Sequence, residues 1–410
     1  MRQAISRRWQ AAQVAGALLL LALGVTPARI LSPEFAAAAA PSDQTTIYLP
    51  QVAQNYGPRY AGVFIPLFDS QAWNGQADAF VALTGKAHAV YLVSSGFDCP
   101  WASGVASIIS ALTHIHELGA TPLITWVPMD CQKGGFGDIN HLALPNILDG
   151  EWDTYIKTWA TDVGNLGYPV FVRWGHEMNI PSYQPWAGQY AFGADGKTFY
   201  QDAANQGCGL KGCFGDPNAY DGPERYIAAY RHVHDLAAPL APNIVWVWNP
   251  YERNWPLAQD APWNQYNNYY PGDAYVDWIA LDGYNWGDQS GNGDGRWLSF
   301  TQMFGAQLND LARLHPTKPQ MIPEIASVED PADPNRKAAW IRDAYKSALN
   351  YPLLRELTWV QDNTFVDAFH YDVFHNQVPV PVDFRVNSSA ASLQAYSDAV
   401  AGWLSQGPLN

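Results

Sequence analysis

Two glutamates in this 410-residue chain stand out for their surroundings. Glu177 lies in Arg173-Trp174-Gly175-His176-Glu177-Met178-Asn179, directly after the apolar run YPVFVRW. Glu324 lies in Met321-Ile322-Pro323-Glu324-Ile325, within the apolar run PQMIPEIA. A carboxylate embedded in apolar sequence is costly to bury, and a single one is ordinarily an ion-pair partner or a helix cap. Two of them match what cleavage of a bond between sugars requires. One carboxyl protonates the departing oxygen, and the other attacks the anomeric carbon or activates water. Arg173, four residues before Glu177, is expected to share its side of the strand and to hold Glu324 ionised.

Such groups act together only if the fold brings them to one place. Eight short β-branched and aromatic runs begin at Tyr60, His88, Thr121, Tyr168, Asn243, Val276, Pro319 and Leu354. Between them lie amphipathic stretches such as WDTYIKTWATDVGNLG and FTQMFGAQLNDLARLH, with a last one near SLQAYSDAVAGWL. Eight strands that read as buried on both faces, alternating with helices, imply an α/β fold, the closed (β/α)8 TIM barrel, as a single catalytic domain. Chemistry in that fold sits on the loops at the C-terminal ends of the strands. Glu177 ends the fourth run and Glu324 the seventh, so both carboxyls are expected at the barrel mouth.

Composition narrows the partners. With 23 basic and 38 acidic residues the formal charge is −15, which excludes a phosphate-binding surface for nucleic acid or a polybasic one for anionic lipid. Hydrophobic residues make up 48% and charged ones 15%, enough for a large core. The chain carries 18 Trp and 22 Tyr, flat rings with a polar edge, which suit sugars as well as cores. Residues 1–28 have Arg2, Arg7 and Arg8, an uncharged Leu/Ala stretch and then Thr26-Pro27-Ala28, the layout of a secretory signal. Left uncleaved, that segment would be long enough to anchor the chain in a membrane. Residues 29–56 read as a linker, and 57–410 as the catalytic domain of a secreted, extracellular protein. In that compartment Cys99, Cys131, Cys208 and Cys213 are disulfide candidates; three pairings are possible, and Cys208 with Cys213 plus Cys99 with Cys131 is favoured.

Taken in order, RWGHEMN, PSYQPWAG, WVWNP, YYPGDAYVDWIALDGYNW and KPQMIPEIAS resemble glycoside hydrolase family 26, best known for endo-acting β-mannanases. The likeness extends from the first strand to VDFRVNSSAASLQAYSDA and so covers nearly the whole domain. It implies that Glu177 is the general acid/base and Glu324 the nucleophile of a retaining double displacement. It also implies that Tyr284 hydrogen-bonds the nucleophile, that His176 contacts the sugar or the acid/base, and that Trp359 floors the sugar being cleaved. Trp186 and Trp286, in the loops after the fourth and sixth runs, are candidates to stack on flanking sugars. Trp126 and Trp248 at strand ends are candidates for groove or core, and Asn249 is a candidate polar contact. The third run ends in TWVP, without the histidine that some mannanases of the family carry there, and the stretch from Ile180 to Asp221 is long; both bear on substrate choice.

Other motifs lead nowhere. His176-Glu177 is not the start of HExxH, because position 180 is Ile. Asp288, Ser290, Asn292, Gly293 and Asp294 imitate a calcium loop, but its twelfth position is Ser299. His114/His116 and His232/His234 are spaced for different helix faces, and Asn387-Ser388-Ser389 is a glycosylation sequon only in a glycosylating host. No metal or cofactor is expected. The expected partner is a polysaccharide, β-1,4-mannan first. β-1,3-Xylan or mixed-linkage β-glucan is the alternative on the same frame, and a non-catalytic carbohydrate-binding barrel is the alternative in kind.

Overall fold

The computed structural model describes residues 58–66, 70–98, 108–130, 144–180, 191–192, 199–200, 222–254, 264–288, 290, 295–367, 380–404 and 407–408. The expected signal and linker, the four cysteines and Trp186 lie outside these residues. No described helix is long and apolar enough to cross a membrane.

Each of the eight apolar runs forms one strand: β1 (Tyr60–Phe64), β2 (Val90–Asp98), β3 (Thr121–Asp130), β4 (Val170–Trp174), β5 (Ile244–Trp248), β6 (Trp278–Asn285), β7 (Gln320–Ser327) and β8 (Leu354–Val360). They close into a barrel in the order β1-β8-β7-β6-β5-β4-β3-β2, and every neighbouring pair is parallel. Around it run α1 (Ser70–Thr84), α2 (Ile109–Glu117), the short α3 (Leu144–Leu148), α4 (Asp153–Gly164), α5 (Gly222–Ala237), α6 (Phe300–Leu314), α7 (Arg336–Ala348) and α8 (Ala390–Val400). α6 starts at a capping box in which Ser299 and Gln302 each bond the other's backbone N–H. α1 has no marked amphipathic pattern in its sequence, yet it buries Trp73, Ala77 and Phe80, three positions along one face.

Strand periodicity sorts the side chains. Val90, Leu92, Leu123, Phe171, Val247, Ala280 and Met321 fill the barrel interior. Their neighbours in sequence point outward into the helix layer, where much of the tryptophan resides. Trp126 stacks on Trp159 of α4, with ring centroids 3.8 Å apart. Trp174 packs on Tyr226 and Tyr230 of α5. Trp248 meets Tyr270 edge-on at 5.0 Å. Trp359 sits among Trp340 of α7 and Tyr396 of α8 and donates its indole N–H to the Phe384 carbonyl, 2.8 Å away. Trp126, Trp248 and Trp359 are all 0% exposed. The expectation that Trp359 floors the sugar is therefore corrected, and of the two readings of Trp126 and Trp248, groove or core, core holds: strand parity turns each away from the mouth.

One departure from strict alternation is decisive. Along β6, Ala280 and Asp282 are two residues apart, but their partners on β7, Met321 and Glu324, are three apart. On the other side, Leu357 and Trp359 of β8 likewise pair with Ile322 and Ile325. β7 thus carries one extra residue around Pro323, a β-bulge at a residue that has no N–H to lose from the ladder. Without it, Glu324 would share the outward parity of Ile322; with it, Glu324 turns into the barrel.

His88, at the foot of β2, is fully buried between α1 and α8. Its Nε2 lies 2.8 Å from the Tyr396 hydroxyl, and its ring lies against Phe80. Burial pulls its pKa down to about 3. The unfolded chain therefore binds a proton between pH 6.5 and 3 that the folded chain excludes, so stability held above pH 6.5 is lost as the pH falls. The expected slope from this residue is about 1.4 kcal/mol per pH unit. Urea unfolding between pH 7 and 4 should show it, and His88→Gln should flatten it; equal slopes for the two proteins would refute the assignment.

Candidate active site

The residue at the centre of the barrel mouth is Arg173. It is the penultimate residue of β4, points inward, and is 1% exposed. Each nitrogen of its guanidinium is engaged. Nε donates to Thr125 Oγ1 of β3 at 2.6 Å, and Nη1 to Asn249 Oδ1 at 2.8 Å and to Asp282 Oδ2 at 2.7 Å. Nη2 is ion-paired with Glu324 Oε1. Four strands or strand ends are thereby tied to one planar cation, a task suited to the fixed fork of arginine. Despite burial, its pKa is raised, because the charges of Asp282, Glu324 and Glu177 surround it.

Glu324 is held from both sides. Arg173 takes one carboxyl oxygen, and the Tyr284 hydroxyl of β6 donates to the other. Burial, then Glu324, Glu177 and Asp282, push the Tyr284 pKa well above its ordinary value, so it remains a donor. Asp282, two residues earlier on β6 and on the same face, has no exposed surface. Burial and the nearby charges of Glu324 and Glu177 drive its pKa well above the usual carboxylate range despite Arg173.

Glu177 comes to the same cluster by another route. β4 ends at Trp174, Gly175 takes φ +54°, and Glu177 takes φ +57°, the sole positive φ at a non-glycine among the described residues. The pleat therefore does not extend to Glu177, and the expected parity with Arg173 is not what orients it. A left-handed turn does so, fixed by the Glu177 N–H donating to the Asn249 carbonyl at 2.7 Å. Such a conformation costs on the order of 1 kcal/mol or more and recurs at functional sites. Glu177 is half-buried, and its charge acts on Arg173, Asp282 and Tyr284, the three groups on which Glu324 also acts.

Of the remaining candidates, His176 lies beside the cluster. Burial and then Arg173 keep its pKa well below the ordinary value, so it is neutral. His176, Asp282 and Glu324 offer ligand atoms within 4.8 Å of one another, an arrangement open to a cation, but Arg173 already supplies the positive charge to both carboxylates. Asn249 is a brace: its side chain accepts from Arg173 and donates to the Pro250 carbonyl at 3.1 Å, and its backbone holds Glu177. Trp286 is half-buried at the mouth, 5.6 Å from the Tyr284 ring and 5.2 Å from Phe384. The paired histidines serve packing: His116 stacks on Tyr168 at 4.0 Å, and His232 bonds Asp153 at 2.7 Å.

Asp282 and Thr125 were not singled out from the sequence. Asp282 had a signal: it is an acid inside the apolar run VDWIALDGY, two residues from Tyr284, and so necessarily on the same strand face.

No protein-family model matches the chain. It is similar to endoglucanase H of Acetivibrio thermocellus, 28% identical over 302 residues. That match covers 73% of this chain, which spans about a quarter (26%) of that relative's length. Among solved structures it superposes on a Cellulomonas fimi endo-β-1,4-mannanase double mutant with TM-score 0.52 and 16% identity, covering 84% of this chain and 70% of that one. It also superposes on the YdhT protein of Bacillus subtilis with TM-score 0.52 and 16% identity, covering 86% and 87%. At that identity the two likenesses show a shared fold, the one expected from the motifs.

Removing the cation should expose the cost of the anions around it. Arg173→Met is expected to destabilise the protein by about 3–5 kcal/mol at pH 7. Urea unfolding at pH 7 checks this, and a loss below about 1 kcal/mol would contradict it.

Proposed function

We propose that this chain is a glycoside hydrolase of the family 26 type that cleaves β-linked polysaccharide with retention of anomeric configuration. The observation that carries the reading is that Glu177 and Glu324 act on one set of neighbours, Arg173, Asp282 and Tyr284, at the C-terminal end of the barrel strands. Glu324 is the nucleophile: Arg173 and Tyr284 each bond one of its carboxyl oxygens and so fix its plane. Glu177, on its turn beyond β4, is the acid that protonates the leaving oxygen and then, as a base, activates the water that releases the glycosyl ester. Once Glu324 is esterified its charge is gone, and Glu177 more easily gives up its proton. For this route the two carboxyl groups stand about 5–5.5 Å apart.

β-1,4-Mannan, cut internally, is the first substrate, in keeping with the motif resemblance and with the fold shared with a mannanase. A β-glucan is the second reading, favoured by the relative named an endoglucanase. The chain acts outside the cell after removal of residues 1–28. Residues 29–56 are the tether of a catalytic domain spanning 57–410, with Cys208–Cys213 and Cys99–Cys131 as loop staples.

Reducing ends released from galactomannan, glucomannan, β-1,3-xylan and mixed-linkage β-glucan test the substrate. Galactomannan is expected to be the best, and a strong preference for mixed-linkage glucan would replace it with the second reading. Glu324→Gln should lower turnover by at least about four orders of magnitude. Glu177→Ala should do the same on polysaccharide, yet retain far more activity on aryl glycosides, whose leaving group needs no proton. Essentially intact turnover by Glu324→Gln would refute the assignment.

A further inference from the structure

We infer that Lys337, which lies outside the catalytic cavity, is a positioning residue: its ammonium pins the segment Asp383–Ser388 so that Phe384 backs the Tyr284 ring and aligns the hydroxyl bonded to Glu324. This rests on the glycosidase reading of Tyr284 and Glu324.

Lys337 sits in the first turn of α7, where the helix dipole disfavours a cation, and it has no exposed surface. A charge in so costly a position needs partners, and its three N–H bonds meet three acceptors. These are the carbonyls of Asp383 (3.1 Å) and Arg385 (2.8 Å) and Ser388 Oγ (2.8 Å). Burial lowers its pKa only to about 8, with Glu329 and Asp383 opposing the fall and Arg385 adding to it, so all three protons are present at neutral pH. Ser388 in turn donates to Glu329 Oε1 at 2.5 Å, and Ser392 of α8 donates to the same oxygen at 3.0 Å. One knot thus joins α7, the loop after β7 and the start of α8.

The residue between the two carbonyls that Lys337 holds is Phe384. It is fully buried, its ring lies 5.2 Å from Tyr284 and 5.2 Å from Trp286, and its N–H donates to the Asp362 carbonyl at 2.8 Å. Its own carbonyl receives the Trp359 indole N–H. The N–H and carbonyl of Phe384 and the carbonyls on either side of it are all bonded, which fixes its ring behind Tyr284.

The test is a double-mutant cycle between Lys337→Met, which keeps the aliphatic stem, and Tyr284→Phe. It is read on the best substrate of the polysaccharide panel, with thermal unfolding followed in parallel. Lys337→Met is expected to lower kcat roughly ten- to hundred-fold with KM changed less than about two-fold. The double variant should be no slower than Tyr284→Phe alone, because the lysine acts through the tyrosine. Should Lys337→Met fail to fold, Ser388→Ala, which removes one acceptor and the Glu329 link, takes its place in the cycle with the same expectation at smaller size. If the two factors multiply, or if the loss appears in KM, the inference is overturned while the glycosidase reading stands. If the wild-type protein hydrolyses nothing in the panel, that reading falls, and the inference with it.

Discussion

A single buried cation organises the mouth of this barrel. Arg173 faces Asp282 and Glu324 directly and feels Glu177 besides, so one positive charge is shared among three acidic groups. The balance cannot be met with all three ionised at no cost. Asp282, with no exposed surface, yields first, its pKa raised by burial and by the other two carboxyls. Glu324 bonds the same guanidinium and has a phenol donor besides. The guanidinium does not merely neutralise; it fixes where the acidic groups stand relative to one another.

Two irregularities of the backbone aim the groups that Arg173 governs. The bulge at Pro323 shifts the parity of β7 and turns Glu324 inward. The left-handed turn at Glu177 carries that residue over the end of β4 and against the Asn249 carbonyl. Regular barrel geometry would provide neither orientation. The scaffold supplies rigidity, and its local departures supply direction; each is stabilised by bonds that originate in neighbouring strands.

The fold was legible from the chain because eight apolar runs, each bounded by turn or helix patterns, leave few alternatives to a closed parallel sheet. α1 escaped notice because its sequence, with Gly75 in the middle, lacks a strong amphipathic period. The two glutamates were legible because acids in apolar runs are rare. Trp359 is misread, and Trp126 and Trp248 stay ambiguous, since a tryptophan at a strand end reads the same in sequence whether it faces the mouth or the helices. A one-residue difference in parity decides between the two, and bulges hide that parity from the sequence. Asp282 carries the same signal, an acid inside an apolar run, and what the sequence does not show is that Arg173 reaches it.

Trapping the glycosyl ester tests the central claim most directly. A 2-deoxy-2-fluoro glycoside of the preferred sugar with a good leaving group should inactivate the enzyme, and peptide mass spectrometry should find one sugar on Glu324. A label on Glu177 or Asp282 instead, or hydrolysis of natural substrate with inverted anomeric configuration, would contradict the proposal that Glu324 is the nucleophile.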